Sequence, residues 1–390
     1  MLNNESKEKE PREYEYEVSV VMPCLNEEDT IGPCIEKAKK CMDEHDINGE
    51  VVISDNGSTD RSVEIARSLG ARVVFQPEKG YGNAYHKGIR EAKGRYIVIG
   101  DSDNTYPFDE IHTFIQPLRE GYEFVMGSRL KGKILPGAMP WLHKYIGNPF
   151  LSWFLNLLFD TGISDSHCGM RAFTAEAFEK MHLKTTGMEF ASEMVINSSL
   201  ADLKTTEIPI TYYPREGESK LHSFRDGWRH MRFMLMYSPT HLFLIPGFVI
   251  MGIGLLLMIF LMQGPVYLLG HGFDLHFVVL GGMMTLLGYQ IIQLGLFARA
   301  ISQAKHFLVK DKLINWLSRQ FTLEKGIVLG LLIFLIGFII NVYILATWIG
   351  AGFGELAMVR ESLLGFVLII IGIQTMFSSF ILSMLFVQTD

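Results

Sequence analysis

The stretch GRYIVIGDSDNTYPFDE (94–110) ends a strand-like run with two closely spaced carboxylates. Residues 96–99 are apolar, Gly100 follows, and only Ser102 separates Asp101 from Asp103. Carboxylates this close repel each other unless a positive group lies between or beside them. An ordinary turn is the plain alternative, because aspartate is common in turns. The stretch therefore indicates a strand whose end is either an acidic turn or a place where a positive group is held.

The residues around this stretch alternate between strand-like and helix-like patterns. Strand-like runs are 17–23, 50–55, 71–75, 95–100 and 123–127, and helix-like patterns cover 30–45, 60–69, 82–92 and 108–120. This alternation predicts an α/β fold with a mostly parallel, Rossmann-like sheet covered by helices. Ligands of such sheets bind beyond the carboxyl ends of the strands. Polar residues collect at those ends: Asn26 and Glu27, Asp55 and Asn56, and Asp101 to Asp103.

Several function classes lack their sequence signals. No GxGxxG follows the first strand and no GxxxxGK[ST] occurs, which disfavours dinucleotide-binding and P-loop sites. The net charge of −7 argues against general nucleic-acid binding. The four cysteines form no CxxC pair, so neither a zinc site nor a redox pair is expected, and reduced thiols are the default. The polar segment 1–16 has no apolar core and indicates a flexible lead-in rather than a signal peptide.

The second half of the chain predicts a membrane domain. Hydrophobic residues make up 48% of the sequence, more than an ordinary soluble protein needs, and long uncharged runs follow residue 240. Four segments contain no Asp, Glu, Lys or Arg and are long enough to cross a bilayer, which takes roughly 20 residues. They are 242–262, 275–298, 326–354 and 362–389. We therefore predict an all-α transmembrane domain of four spans over 241–390.

The basic residues of the loops predict the orientation of these spans. Three arginines precede the first span, and the loop 301–325 carries five basic residues: Lys305, Lys310, Lys312, Arg319 and Lys325. In the other two loops, Arg360 is the only lysine or arginine. Basic loops stay on the cytoplasmic side. We expect an integral protein of the cell membrane whose N-terminal domain and C-terminus are both cytoplasmic.

Two stretches before the spans predict helices at the membrane surface. PWLHKYIGNPFLSWFLNLLFD (140–160) is apolar and aromatic but too short to span, so it is either a buried core helix or an interfacial one. Its apolar run within a membrane-tethered domain favours the interfacial reading. RDGWRHMRFMLMY (225–237) mixes basic and apolar residues and indicates a juxtamembrane amphipathic helix over 223–240. The soluble domain is then 17–222.

Eight blocks in the soluble half carry a family resemblance. The blocks are VSVVMPCLNEEDTI, EVVISDNGSTD, EKGYGNAYHKGI, GDSDNTYP, GSR, DSHCGMRAF, TGMEFASEM and REGESK, which together cover about residues 17–222. The chain resembles a family 2 glycosyltransferase with the GT-A fold, of the dolichyl- or polyprenyl-phosphate mannose and glucose synthase type that carries its own membrane anchor. Three positions depart from the pattern. Cys24 stands where an aromatic is common, and Ser102 and Asn104 replace other small or apolar residues.

The resemblance implies a donor site at the strand ends. The positive species beside the two aspartates is then a divalent cation, Mg²⁺ or Mn²⁺, which bridges the diphosphate of a nucleotide-sugar. Asp103 is expected to be the direct ligand, with Asp101 near the ribose or in the water shell of the cation. Asp55 would accept a hydrogen bond from the nucleobase. The remaining donor-site residues are expected to be Glu27 on the ribose, Pro23 and Cys24 along the base, and Asn56, Lys79, Asn83 and Ser102 along the donor.

The resemblance also implies an acceptor site built from cations. A lipid monophosphate has a second pKa near 6 and is largely an oxyanion at neutral pH, so it needs guiding charges more than a general base. Arg129 is expected to contact that phosphate as a catalytic residue together with Asp101 and Asp103, and Glu193 to orient a cation. Structural ion pairs with Asp165 or Glu193 are the plain alternative. The other expected phosphate ligands are Arg171, Arg215 and Lys220.

These residues predict an inverting transfer without a covalent intermediate. The lipid phosphate would displace the nucleoside diphosphate of UDP-glucose or GDP-mannose in line at the anomeric carbon. A sugar or protein acceptor, a processive synthase, and a non-catalytic flippase or scaffold are alternatives. The QxxRW block of processive synthases is missing, and uncharged spans disfavour a transport path. Glycine-rich spans, at Gly281-Gly282 and at Gly350 with Gly354, suggest a homo-oligomer.

Overall fold

The computed structural model describes residues 13–216, 223–268, 271–304, 312–354 and 358–387. The chain divides into two compact units, Met1–Met234 and Leu235–Asp390. The first unit contains the sheet and the polar strand ends, and the second contains the long apolar helices.

Seven described strands form the sheet of the first unit. They are β1 (Tyr16–Cys24), β2 (Gly49–Asp55), β3 (Arg72–Phe75), β4 (Gly94–Ile99), β5 (Phe124–Ile134), β6 (Arg171–Thr174) and β7 (Thr205–Tyr212). Their order in the sheet is β3-β2-β1-β4-β6-β5-β7. β6 runs antiparallel to β4 and β5, while the other pairs are parallel. The predicted α/β class with a mostly parallel sheet is therefore confirmed.

Helices alternate with or follow these strands, and those that lie between β1 and β5 in the chain pack against the sheet. They are α1 (Ile31–Glu44), α2 (Ser62–Ser68), α3 (Tyr81–Glu91), α4 (Ile111–Arg119), α5 (Asn148–Phe159), α6 (Ala175–Met181), α7 (Phe190–Leu200) and α8 (Ser223–Tyr237). The core is apolar and centres on β1, where the side chains of Val18, Val20 and Val21 are completely buried. Burial of such β-branched side chains on both faces is typical of a central parallel strand.

Helix α5 and the segment before it expose a band of large apolar side chains. Residues 141–159 are helical almost throughout, with a π-helical turn at His143–Gly147. Trp141 is 66% exposed and Trp153 56% exposed, and the band continues through Tyr145, Ile146, Phe150 and Leu157. A buried core helix would hide these rings, so the first unit presents an apolar aromatic surface here. That this surface lies in the membrane interface stays a prediction.

The second unit consists of two helical hairpins. The hairpin helices are α9 (Ile245–Leu261) with α10 (Leu275–Ala304), and α12 (Leu323–Gly350) with α13 (Val359–Val387); a short strand pair, β8 (Val266–Leu268) and β9 (His271–Phe273), and α11 (Lys312–Gln320) lie in the connections. Among the described residues, four helices are long and apolar enough to cross a membrane: Thr240–Leu261, Leu275–Gln303, Leu323–Gly350 and Val359–Phe386.

Small residues bring the backbones of these helices together. At Gly254, a Cβ would lie 2.5 Å from the Gly281 carbonyl oxygen of the facing helix. Close backbone approach of this kind is how transmembrane helices pack when lipid removes the hydrophobic driving force. A 2.5 Å hydrogen bond between the hydroxyls of Tyr289 and Thr375 joins α10 to α13.

Candidate active site

The strand ends that the sequence singled out meet at one edge of the sheet. Cys24 pairs with Asp55 in the β1–β2 register, and Val21 pairs with Ile99 in the β1–β4 register. The loops after β1, β2 and β4 therefore leave the sheet side by side. The hydroxyl of Ser102 donates to the Pro23 carbonyl oxygen at 2.7 Å and links the loop after β4 to the end of β1.

The loop after β2 is held by two side chains that were expected to bind the donor. The buried Asp55 carboxylate accepts hydrogen bonds from the backbone N–H groups of Gly57 at 3.1 Å and Ser58 at 3.2 Å. Asn56 donates to the carbonyls of Gln76 and Glu78 and accepts from Gly80 N–H. Both side chains thus hold the backbone of this loop, and their expected contacts with a donor stay predictions.

The loop after β1 locks onto the loop after β2. Asn26, in a left-handed conformation with φ 56°, accepts the Thr59 N–H at 2.8 Å. The Cys24 thiol lies 3.7 Å from the Ser58 hydroxyl, and burial raises its pKa to about 11. A thiol with so high a pKa stays protonated and unreactive at neutral pH. Cys24 therefore suits a packing role against a base and no nucleophilic one.

Asp101 lies in a pocket of phenol groups from α3. Tyr81 and Tyr85 donate to the same Asp101 carboxylate oxygen at 2.9 and 3.1 Å. Burial, followed by the negative charge of Asp103, raises the pKa of Asp101 to about 6. Sequence reasoning missed these two tyrosines. Their signal was the i, i+4 spacing in YGNAY, which places both rings on one helix face.

Asp103 faces a positive group of the protein itself. One carboxylate oxygen accepts from the Thr105 hydroxyl at 2.6 Å, and the other lies 3.4 Å from Nη1 of Arg215. Nη2 of the same arginine lies 3.6 Å from Glu27 Oε1. Among the described residues, Arg215 therefore offsets part of the negative charge of this acidic cluster, although it was expected to bind acceptor phosphate.

Arg129 is engaged in a buried ion pair. Its Nε and Nη2 donate to the two oxygens of Asp165 at 2.8 Å each, and its backbone N–H donates to Asp165 at 3.0 Å. Burial opposes the positive charge, but Asp165 outweighs it and the pKa of Arg129 is raised well above its usual value. Both side chains are buried. This geometry matches the structural ion pair that was the alternative. For the predicted phosphate contact, the Arg129 guanidinium would have to bind the phosphate as well as Asp165.

Arg171 and Glu193 both form hydrogen bonds with the backbone. Arg171 is buried and donates to the carbonyl oxygens of Cys168, Ala191 and Ser166 at 2.6–3.0 Å. The buried Glu193 accepts from Thr185 N–H at 2.8 Å and from the Thr185 hydroxyl at 2.6 Å. The geometry of both side chains favours positioning of loops. Contact of Arg171 with phosphate stays a prediction that the present contacts do not favour.

The loop held by Arg171 closes directly over Asp101. A Cβ at Gly169 would lie 2.9 Å from Asp101 Oδ2, and the Gly169 N–H donates to the Tyr106 hydroxyl at 2.7 Å. Only glycine allows so close an approach of backbone to carboxylate. The loop thus forms one wall of the acidic site.

The remaining expected donor contacts lie at the start of α3. Lys79 is exposed, and its carbonyl accepts from the Asn83 side chain at 3.2 Å. The Asn83 N–H donates to Thr186, so this helix start is tied to the turn that Glu193 holds. Lys220 lies outside the described residues.

Comparison with known proteins identifies the class of this chain. Residues 19–181 match the family described as "Glycosyl transferase family 2", and residues 296–386 match "Glycosyltransferase family 2 C-terminal transmembrane region". The chain belongs to glycosyltransferase family 2 and is an integral membrane protein with C-terminal transmembrane helices. The predicted family and GT-A fold class are confirmed.

Two relatives from the archaeon Haloferax volcanii show the extent of the similarity. The low-salt glycan biosynthesis hexosyltransferase Agl6 is 43% identical over 369 residues, which cover 94% of this chain and 89% of the relative. A dolichyl-phosphate hexose transferase is 34% identical over 219 residues, which cover 55% of this chain and 91% of the relative. Among solved structures, a glucosyl-3-phosphoglycerate synthase from Mycobacterium tuberculosis, in complex with Mn²⁺, UDP and glucosyl-3-phosphoglycerate, covers 57% of this chain and 78% of its own at 21% identity and TM-score 0.45.

Proposed function

We propose that this protein transfers a hexose from a nucleotide-sugar to a polyprenyl or dolichyl monophosphate at the cytoplasmic face of the membrane. The observation that carries the proposal is the position of Arg215 between Glu27 and Asp103. This acidic site already holds a positive group, and its ion-pair distances of 3.4 and 3.6 Å are longer than those of a tight charged hydrogen bond. A looser contact is one that a stronger cation can replace.

The donor half of the proposal rests on the oxygen atoms at this site. Carboxylate oxygens together with diphosphate oxygens are the ligands that Mg²⁺ and Mn²⁺ prefer. We assign Asp103 as the ligand of the cation and Asp101 as a second carboxylate that acts directly or through water. When bound, the cation would neutralise the charge that develops on the leaving nucleoside diphosphate.

The proposed acceptor depends on the role of the Arg215 side chain once a cation has displaced it from Asp103. Arg215 follows β7 by three residues, and the next residues, 217–222, include Lys220. A guanidinium released from Asp103 can pair bidentately with a phosphate dianion, which suits a lipid monophosphate. The name of the 34% identical relative, a dolichyl-phosphate hexose transferase, supports this acceptor class. A hexose as the transferred group is supported by the names of both relatives.

The chemistry we propose is a direct inverting displacement. The phosphate oxygen attacks the anomeric carbon, the bond to the nucleoside diphosphate breaks, and the leaving group takes the electron pair. An α-linked donor then gives a β-linked product. The buried Arg129–Asp165 pair fixes the loop beside Tyr106 and Asp101, and Arg171 fixes the backbone that carries Gly169.

The membrane half of the proposal rests on the aromatic band of 141–159. Trp141, Tyr145 and Trp153 suit the headgroup layer, where amphipathic rings are enriched. A prenyl chain held there would present its phosphate at the bilayer surface. The basic loop 301–325 and the arginines before the first span support a cytoplasmic first unit, because basic loops stay on that side of the membrane.

Turnover with a panel of donors tests the proposal. Detergent-purified protein is incubated with a short polyprenyl phosphate, Mg²⁺ or Mn²⁺, and radiolabelled UDP- and GDP-hexoses. We expect label from one donor to enter the organic phase, and chelator or Asp103→Asn to abolish this transfer. Asp109→Asn, which removes an exposed carboxylate of the same loop region, should leave it intact. If one donor binds but its label stays aqueous, the acceptor is a sugar or protein, an alternative that the engaged Arg129 and Arg171 would then favour.

A further inference from the structure

A second set of metal-ligating side chains lies where α1 meets α4. Cys41 and His45 are four residues apart at the end of α1, and His112 is in the first turn of α4. One ligand atom from each residue lies within 4.8 Å of the others, and the Cys41 sulfur is 3.6 Å from His112 Nδ1. We propose that Cys41, His45 and His112 form a binding site for a thiophilic divalent metal ion of the Zn²⁺ type.

The distances fit a tetrahedral ion. With Zn–S of about 2.3 Å and Zn–N of about 2.0–2.1 Å, the sulfur and nitrogen ligands of one zinc ion lie about 3.5 Å apart. The observed 3.6 Å between Cys41 and His112 matches that edge without movement. Three protein ligands leave the fourth position for water, as in zinc sites that keep an open position.

His45 is the ligand that has to move. Its ring stacks on His112 with centroids 3.8 Å apart and planes 19° from parallel, so the two rings do not yet aim at one point. His45 is exposed, and rotation to another staggered rotamer breaks little packing. In the absence of a metal, a thiol–imidazole hydrogen bond accounts for Cys41 and His112, and ring stacking accounts for His45; a bound ion would replace both contacts with metal–ligand bonds.

This site is distinct from the acidic one in place and chemistry. α1 begins beyond the carboxyl end of β1 and runs 14 residues, about 20 Å, toward the opposite edge of the sheet. Sulfur and nitrogen ligands select zinc-like ions, whereas the oxygen ligands at Asp103 suit Mg²⁺ or Mn²⁺. No zinc motif is visible in the sequence, because the ligands come from two separate helices. A bound ion would fasten α1 to α4 and stabilise the first unit.

Cobalt titration of the full-length protein tests the site. The detergent-purified chain is stripped with chelator and titrated with Co²⁺ in excess Mg²⁺, which fills oxygen-ligand sites. We expect one Co²⁺ per chain, tetrahedral visible bands, an intense sulfur-to-metal charge-transfer band, and displacement by Zn²⁺. Cys41→Ser should remove the charge-transfer band, and His45→Gln and His112→Gln should each weaken binding at least about tenfold.

Matched variants keep the test decisive. Cys34→Ser removes another buried thiol of the same helix and should leave the charge-transfer band unchanged. His45→Gln changes an exposed side chain, so the variant folds, and Zn²⁺ should raise the unfolding temperature of the wild type but not of this variant. A band that survives Cys41→Ser, or equal Zn²⁺ stabilisation of wild type and His45→Gln, overturns the proposal. Neither outcome bears on the proposed hexose transfer at the acidic site, because both experiments measure metal binding and not turnover.

Discussion

Nη1 of Arg215 lies 3.4 Å from Oδ2 of Asp103, in the position where the sequence pattern led us to expect a metal ion. The same guanidinium reaches Glu27, so one side chain offsets charge from two loops. Arg215 is one-quarter exposed, and a partly exposed pair of this kind contributes roughly 1 kcal/mol or less. The ion pair is therefore weak enough for a divalent cation to displace Arg215 from Asp103. It is also strong enough to reduce the affinity of the site for that cation.

Arg215→Gln should tighten binding of Mn²⁺ to the donor-free protein. Removal of the competing charge is expected to lower the dissociation constant a fewfold, in proportion to an ion pair worth about 1 kcal/mol. Electron paramagnetic resonance of free Mn²⁺ measures this binding without turnover. Arg215→Lys retains the charge and should lie near the wild type. An unchanged dissociation constant in Arg215→Gln would show that the cation binds without displacing the arginine.

Asp101 should make the metal-free protein less stable as the pH rises through about 6. Its pKa is raised by burial and by Asp103, so the folded state binds the proton more tightly than the unfolded chain. The stability from that proton is complete below an unfolded pKa near 3.9 and is lost as the pH passes about 6. Denaturant unfolding in chelator should show a loss on the order of 1–2 kcal/mol between pH 4 and 7, after allowance for solvent screening.

Asp101→Asn is the variant that isolates this effect. Its amide oxygen still accepts from the Tyr81 or Tyr85 hydroxyl but carries no charge. The pH dependence between 4 and 7 should flatten by the same amount. A variant with the slope of the wild type would assign the slope to other groups.

The Arg129–Asp165 pair should be far more costly to break than to replace. Asp165→Asn leaves a buried guanidinium without its counter-charge and is expected to destabilise the first unit by about 3 kcal/mol or more. The double variant Arg129→Met/Asp165→Leu should recover most of that loss, because apolar replacement of a buried pair is often neutral. Thermal unfolding measures both.

Transfer by the double variant then separates structure from catalysis. If Arg129 also contacts the acceptor phosphate, the refolded double variant stays inactive. Recovered transfer together with recovered stability would limit Arg129 to holding its loop.

The aromatic band of 141–159 should sit at the level of lipid headgroups. Trp153→Ser is expected to raise the KM for a long-chain polyprenyl phosphate severalfold and to leave the KM for a short, soluble one unchanged, since only the long chain uses the bilayer surface. Phe75→Ser, which removes a similarly exposed ring from β3, is the matched control. If Trp153→Ser changed the KM for both acceptors equally, the band would not be the surface that binds the long prenyl chain.

Two neighbouring glycines of α9 should respond oppositely to alanine. Gly254→Ala would bring a methyl group within 2.5 Å of the Gly281 carbonyl oxygen and is expected to cost about 1–3 kcal/mol. Around Gly252 a Cβ meets nothing within 4 Å, so Gly252→Ala should be neutral or slightly stabilising. Unfolding of the two variants in the same detergent compares them, and equal losses would contradict the helix packing described.

The sequence reveals the parts of this molecule whose signals are local. Periodicity marks β1, β2 and β4, uncharged length marks the membrane helices, and strand ends mark Asp55 and Asp101. β6 escapes detection because four residues show no alternation, and its antiparallel direction depends on partners distant in sequence. Arg215 was predicted to bind acceptor phosphate, but its contact with Asp103 was not predicted, because the two residues are 112 positions apart and only the folded sheet brings them together.

The β5–β6 connection has a consequence for where the sugar is handed over. The chain leaves the sheet at Ile134, forms the aromatic helix, and returns at Arg171, which pairs directly with Ile99, two residues before Asp101. The aromatic surface and the acidic loop are thus rooted in adjacent strands of one rigid sheet. Under our proposal that this helix lies among lipid headgroups, the sheet would set the distance between Asp101 and the bilayer surface. It would thereby set how far a lipid-borne phosphate has to extend from the bilayer to meet the donor.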